Sequence, residues 1–164
     1  MVYSMTFSNW RTYAYALLFI VGNIVLPQTV HLIPQGGFIF LPIYFFTLIA
    51  AYKCGWKVGL MTAILSPVLN HIMFGMPSMA VLPIILMKSI ALAFCASYIA
   101  HRIARVTFLG VLLSVIAYQV VGGVGEALYL FSPMAPLQDL TIGLPGLLIQ
   151  VVFGYLIMAK LWQK

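Results

Sequence analysis

The stretch Val106–Leu130, VTFLGVLLSVIAYQVVGGVGEALYL, holds one formal charge, Glu126, in 25 residues. A helix rises about 1.5 Å per residue, so about 20 apolar residues cross the ~30 Å hydrocarbon core of a bilayer. The run is unbroken and lacks the ~10-residue alternation of a barrel strand. It reads as a transmembrane helix. Working outward, charges and Pro/Gly turns cut the chain into five further segments of the same kind. Span one covers Thr12 to Leu26 and ends at Pro27; span two, Phe38 to Tyr52, is interrupted by Pro42. Span three, Val58 to Phe74, contains Pro67, and span four, Met79 to Ile99, contains Pro83. Val106–Leu130 is the fifth, and the sixth runs from Ile142 to Leu161 with Pro145 inside it. Prolines are costly inside helices in water but tolerated where neighbouring helices satisfy the freed carbonyls.

Composition agrees. The 164 residues are 64% hydrophobic and 6% charged, with a mean hydropathy of +1.12. Soluble domains average about 45–50% apolar with about a quarter charged. Six helices of about 20 residues take up most of the chain and leave no room for a large soluble domain. The fold class is therefore an all-α integral membrane protein, a compact bundle of six transmembrane helices forming one domain over residues 1–164. The first ten residues lack the succession of basic, apolar and small residues of a signal peptide, so span one is expected to be retained.

Arg11, Lys53, Lys57, Arg102, Arg105, Lys160 and Lys164 all fall on one side of a six-span topology. The three opposite connections contain no Lys or Arg. The positive-inside bias makes the basic side cytoplasmic and puts both termini there, in a multi-pass protein of a bacterial inner or plasma membrane. Trp10, Trp56 and Trp162 fall at the same predicted interface, where indoles prefer to sit. The net charge of +6 thus reflects topology, and a nucleic-acid partner is excluded.

Lys88 lies near the middle of span four and Glu126 toward the outer end of span five, roughly 15 Å and roughly 8 Å below the outer surface. A charge in hydrocarbon costs ~2.5–3.5 kcal/mol on insertion scales, so such residues face the bundle interior and pair. A lysine stem bridges that difference in depth. One reading is a structural ion pair between spans four and five; the other places one or both groups in a ligand site. Asn23, Asn70, His71 and Gln150 lie mostly in the outer half, with Gln119 near the midplane. His31 and Gln35 join from the first outer connection and Asp139 from the last. Hydrogen-bonding glue would be spread over all depths. The clustering points instead to an apolar-walled pocket open to the outside. Its candidate residues are Asn23, His31, Gln35, Asn70, His71, Lys88, Gln119, Glu126 and Gln150, with Phe38, Phe40, Tyr44, Phe74, Tyr118 and Tyr129 available to stack a flat ring. Replacing Glu126 by Gln or Lys88 by Met is expected to weaken binding in a protein that still folds.

Gly55/Gly59/Ala63, Ala93/Ser97, Ala96/Ala100/Ala104 and Gly123/Ala127 repeat small residues at i, i+4, a pattern for close helix packing or for docking another subunit. Cys54 and Cys95 read as small hydrophobes, and His31, His71 and His101 are scattered, so neither a metal nor another cofactor is expected. There is no GxxxxGK[ST], HExxH or GxSxG motif. The chain is not expected to be an enzyme.

Several stretches carry a resemblance: Gly36-Gly37-Phe38 through Leu41-Pro42, Gly55-x-x-x-Gly59, Ser66-Pro67-x-x-Asn70 and Gly75-Met76-Pro77. Over roughly residues 30–105, with the size and the helix tally, the chain resembles the substrate-binding S components of energy-coupling factor (ECF) transporters. The resemblance implies high-affinity capture of a vitamin or cofactor precursor at the outer face. ATP-driven uptake would then require a transmembrane coupling subunit and two cytoplasmic ATPases. The Ser-Pro and Gly-Met-Pro stretches are similar to those of members assigned to cobalamin or its precursors. Many members carry Ala-x-x-x-Ala on the first span for docking, whereas Ala14 and Ala16 here are two apart. Two alternatives stay open: a small membrane enzyme acting on a lipid or peptide, and a structural subunit of a membrane complex. Lys88 suits a carboxylate or phosphate on the substrate, and Glu126 an amine or amide edge.

Overall fold

The computed structural model describes residues 7–30 and 32–162. Helix α1 is Trp10–Val30, α2 is Gly36–Phe40, and a 3-10 turn, Pro42–Tyr44, leads into α3, Phe45–Cys54. Then come α4, Trp56–Phe74; α5, Leu82–Ile103; α6, Phe108–Leu130; α7, Ala135–Ile142; and α8, Leu144–Trp162. No strand occurs among the described residues. Among them, α1, the α2–α3 segment, α4, α5 and α6 give five spans long and apolar enough to cross a membrane. The pair α7 and α8, bent by 58°, adds a sixth if counted as one. This is a membrane-embedded helical bundle.

The α2–α3 segment is its centre. Its buried share is 72%, against 28–39% for the other four spans. Leu48, Ile49, Ala50, Ala51 and Tyr52 are apolar or aromatic in succession, and all are enclosed by α1, α4, α5 and α8. A helix apolar all round is stable only when surrounded in this way. The outer helices instead leave Leu17, Leu18, Val120, Val124 and Leu128 exposed, as lipid-facing surfaces require. Most of the small-residue positions turn inward: Ala63, Ala93, Ala96 and Ala100 are completely buried, whereas Ala104 is exposed. A Cβ on Gly146 would lie 2.5 Å from the Phe40 carbonyl oxygen, so glycine lets α8 press against α2.

The basic connections gather at one end. The Phe7 ring meets Trp56 edge-on with centroids 6.1 Å apart, and Lys57 Nζ lies 5.0 Å over Phe7. Tyr52 Oη donates to the Arg105 carbonyl at 3.2 Å, tying α3 to the α5–α6 connection. Lys53, one of the basic residues between spans two and three, is buried.

Four features differ from the expected spans: first, α1 runs on through Pro27 to Val30, past the expected end of span one. Span two is broken at Leu41, whose φ of +46° and following proline stop α2 before α3 begins. Pro83 and Pro145 fall in the first turns of α5 and α8, where a missing N–H leaves no helix bond unmade. Ahead of α8, the chain forms α7 within what the sequence presented as a connection.

Candidate functional site

At the end opposite the basic connections, the break in the central segment leaves a cavity of about 740 Å³. Its walls come from the end of α1, the α1–α2 connection, α2, Leu41 and the 3-10 turn, the α4–α5 connection, the first half of α5, and single residues of α4, α6 and α7. Four of the nine predicted site residues line it: Gln35, Asn70, Lys88 and Glu126. Phe38 and Tyr44 supply aromatic wall.

The charged groups form one cluster. Lys88 Nζ is 2.6 Å from Glu126 Oε2 and also donates to Asp139 Oδ2. Lys88 is 2% and Glu126 6% exposed, so this is a pairing away from bulk water. The lysine stem reaches from α5 toward the end of α6, as the depth arithmetic requires. Gly122 makes room for it, because a Cβ there would fall 2.7 Å from Lys88 Cγ. We expect Gly122→Ala to be destabilising despite alanine's better helix propensity, ~1 kcal/mol. Overpacking at a fixed stem costs about 1–3 kcal/mol, so the net expectation is a loss of about 1 kcal/mol. Thermal unfolding in detergent checks the sign.

The other predicted residues are placed differently. Asn23 is buried away from the cavity and joins three helices. Its Nδ2 donates to Thr47 Oγ1 at 2.9 Å and Ser66 Oγ at 3.3 Å, and its Oδ1 accepts from the Phe46 N–H at 3.1 Å. Asn70 Nδ2 donates to the Asn23 carbonyl at 2.9 Å, while its Oδ1 accepts from Gln28 Nε2 at 3.3 Å. Interhelical hydrogen bonds within membranes average about 0.6 kcal/mol and reach about 1.7. We therefore expect Asn23→Ala to cost about 1–2 kcal/mol of stability, with several such bonds lost together. Equilibrium binding to the purified variant should be unchanged, because Asn23 does not line the cavity.

Gln150 supports the cavity floor from below. Its Oε1 accepts from Tyr118 Oη at 3.2 Å, and its Nε2 donates to the Leu41 carbonyl at 3.4 Å. The Leu41 carbonyl, which also accepts from the Tyr44 N–H at 3.2 Å, is thus tied to α8 where the central segment breaks. Tyr118 packs against Tyr44 with ring centroids 5.6 Å apart. His71 donates from Nδ1 to the Pro77 carbonyl at 2.7 Å and ties down the α4–α5 connection that walls one side. His31 lies outside the described residues. Gln119 faces a different hollow, about 660 Å³, between α6 and α8. Val120, Val124 and Leu148 line that hollow and are exposed on the flank of the bundle, and Lys88 reaches it from within.

Asp139 was absent from the predicted site set. The signal that identifies it is scarcity: the chain has only two acidic residues, and both contact Lys88. Among the described residues no three His, Cys, Asp or Glu side chains are grouped as a metal site, and Cys54 and Cys95 are free thiols. The chain matches no protein-family model, no curated protein and no solved structure.

Proposed function

We propose that this protein is a membrane-embedded solute-capture subunit, of the kind the S components of ECF transporters represent. The observation that carries the reading is the cavity of about 740 Å³ at one end of an otherwise apolar bundle. It combines aromatic wall from Phe38 and Tyr44 with a few polar groups, the usual make-up of a small-molecule site. The basic residues at the other end make that end cytoplasmic, so the cavity opens to the outside of a cell membrane. A vitamin or cofactor precursor, including a cobalamin-related one, is the proposed cargo. Uptake would be powered by partners, a coupling subunit and two ATPases, since this sequence contains no GxxxxGK[ST] loop.

A second reading draws on the hollow between α6 and α8. Lys88, already beside Glu126, also reaches this apolar flank, which is the setting an enzyme acting on a lipid would use. Mass spectrometry of small molecules released by denaturing the detergent-purified protein separates the two. A stoichiometric water-soluble cofactor or precursor is the expected result. Phospholipid alone, together with no thermal stabilisation by a vitamin panel, would overturn capture in favour of lipid chemistry.

A further inference from the structure

The charges on the cavity do not cancel. Among the described residues, the formally charged side chains lining it are Lys88, Glu126 and Asp139, a sum of −1. The lysine is already engaged by both carboxylates, at 2.6 Å from Glu126 Oε2 and in a hydrogen bond to Asp139 Oδ2. Glu126 is 6% exposed, and Lys88 Nζ at 2.6 Å is the one polar group found against its Oε2 among the described residues. A carboxylate held out of water usually gathers several donors, and one with too few is costly. Here two carboxylates share one ammonium and both residues line the cavity, so a further donor would come from there.

We infer that the captured solute is an organic cation, with an ammonium or amidinium group seated on Glu126 and Asp139. This rests on the capture reading and narrows its substrate class. Such a group brings the missing positive charge together with N–H donors, and charge-assisted bonds of this kind are the strong ones. An anion would meet a site that is already one charge negative, with its lysine occupied. The aromatic wall favours the same choice, because Phe38 and Tyr44 line the cavity and a desolvated cation is attracted to a ring face. From the sequence alone Lys88 suits an anionic substrate group; here its ammonium is already engaged by two carboxylates.

The test uses the full-length protein in detergent at pH 8, above the ordinary histidine range. Three probes of one shape are titrated by calorimetry: tryptamine, a cation; tryptophol, neutral; and indole-3-acetate, an anion. The expected result is that tryptamine binds at least about tenfold tighter than either of the others, about 1.4 kcal/mol. Asp139→Asn should abolish that preference, with Glu126→Gln as the second variant if the first does not fold. Equal binding of the three probes, or preference for indole-3-acetate, would overturn the inference. So would a co-purified neutral or anionic vitamin-like solute, which leaves capture itself standing. No co-purified solute and no response to any probe would remove the capture reading, and this inference with it.

Discussion

Lys88→Met is expected to destabilise the protein more than any other single change at this site. Removing the ammonium leaves Glu126 and Asp139 facing one cavity with no cation between them. Deleting one partner of a buried ion pair costs about 3–5 kcal/mol, because the remaining charge is uncompensated. Asp139 is the more exposed of the two carboxylates, its side chain 24% accessible; water reaching it moderates the loss toward the lower figure. The expectation from sequence, that Lys88→Met weakens binding in a folded protein, took no account of this second carboxylate. Thermal unfolding in detergent measures the effect. The double variant Lys88→Met/Glu126→Gln should recover part of the lost stability, since it removes one of the stranded charges. A cycle over the two sites then reports their coupling. If Lys88→Met melted with the parent, the triad would contribute nothing to the fold.

What was legible in the sequence was depth. Unbroken apolar runs located the spans, and the rise per residue correctly brought the Lys88 ammonium within reach of Glu126. Facing was much less legible. In water a helix declares its buried side by its apolar stripe, but a helix between lipid and protein is apolar on both sides. Asn23 and Gln150 were therefore grouped with Asn70 by depth alone, whereas they turn to the Thr47–Ser66 cluster and to the Leu41 carbonyl. Gln119, two turns before Glu126 on nearly the same face of α6, lines the flank hollow with Lys88. The break of the central segment was only half visible. Pro42 marked it, but its partner, the Gln150 amide donating to Leu41 from 109 residues away, has no local signature. Asp139 escaped the site set for a related reason. It lies in a segment that composition presented as a connection, and only the turn of α7 at the 58° bend carries its carboxylate to Lys88.

Glu126→Gln is expected to separate binding from folding. Lys88 keeps Asp139, so the substitution leaves a neutral pair in place of a cluster with one surplus negative charge. The amide is nearly isosteric with the carboxylate, and because Lys88 keeps its hydrogen bond to Asp139 the substitution weakens the 2.6 Å contact at Glu126 Oε2 without stranding a charge. Stability should stay within about 1 kcal/mol of the parent, the range of a weakly coupled polar change. Affinity for the captured solute should fall about 10- to 100-fold, the equivalent of one charged hydrogen bond of about 1.5–3 kcal/mol. Calorimetry with the solute identified by mass spectrometry, at matched protein concentration and salt, provides the measurement. A variant that melts like the parent and binds like the parent would leave Glu126 only a packing role between α5 and α6. A variant that loses affinity without losing stability places the carboxylate on the solute. It also explains why a membrane helix retains a buried acid beside a lysine that a second carboxylate already engages.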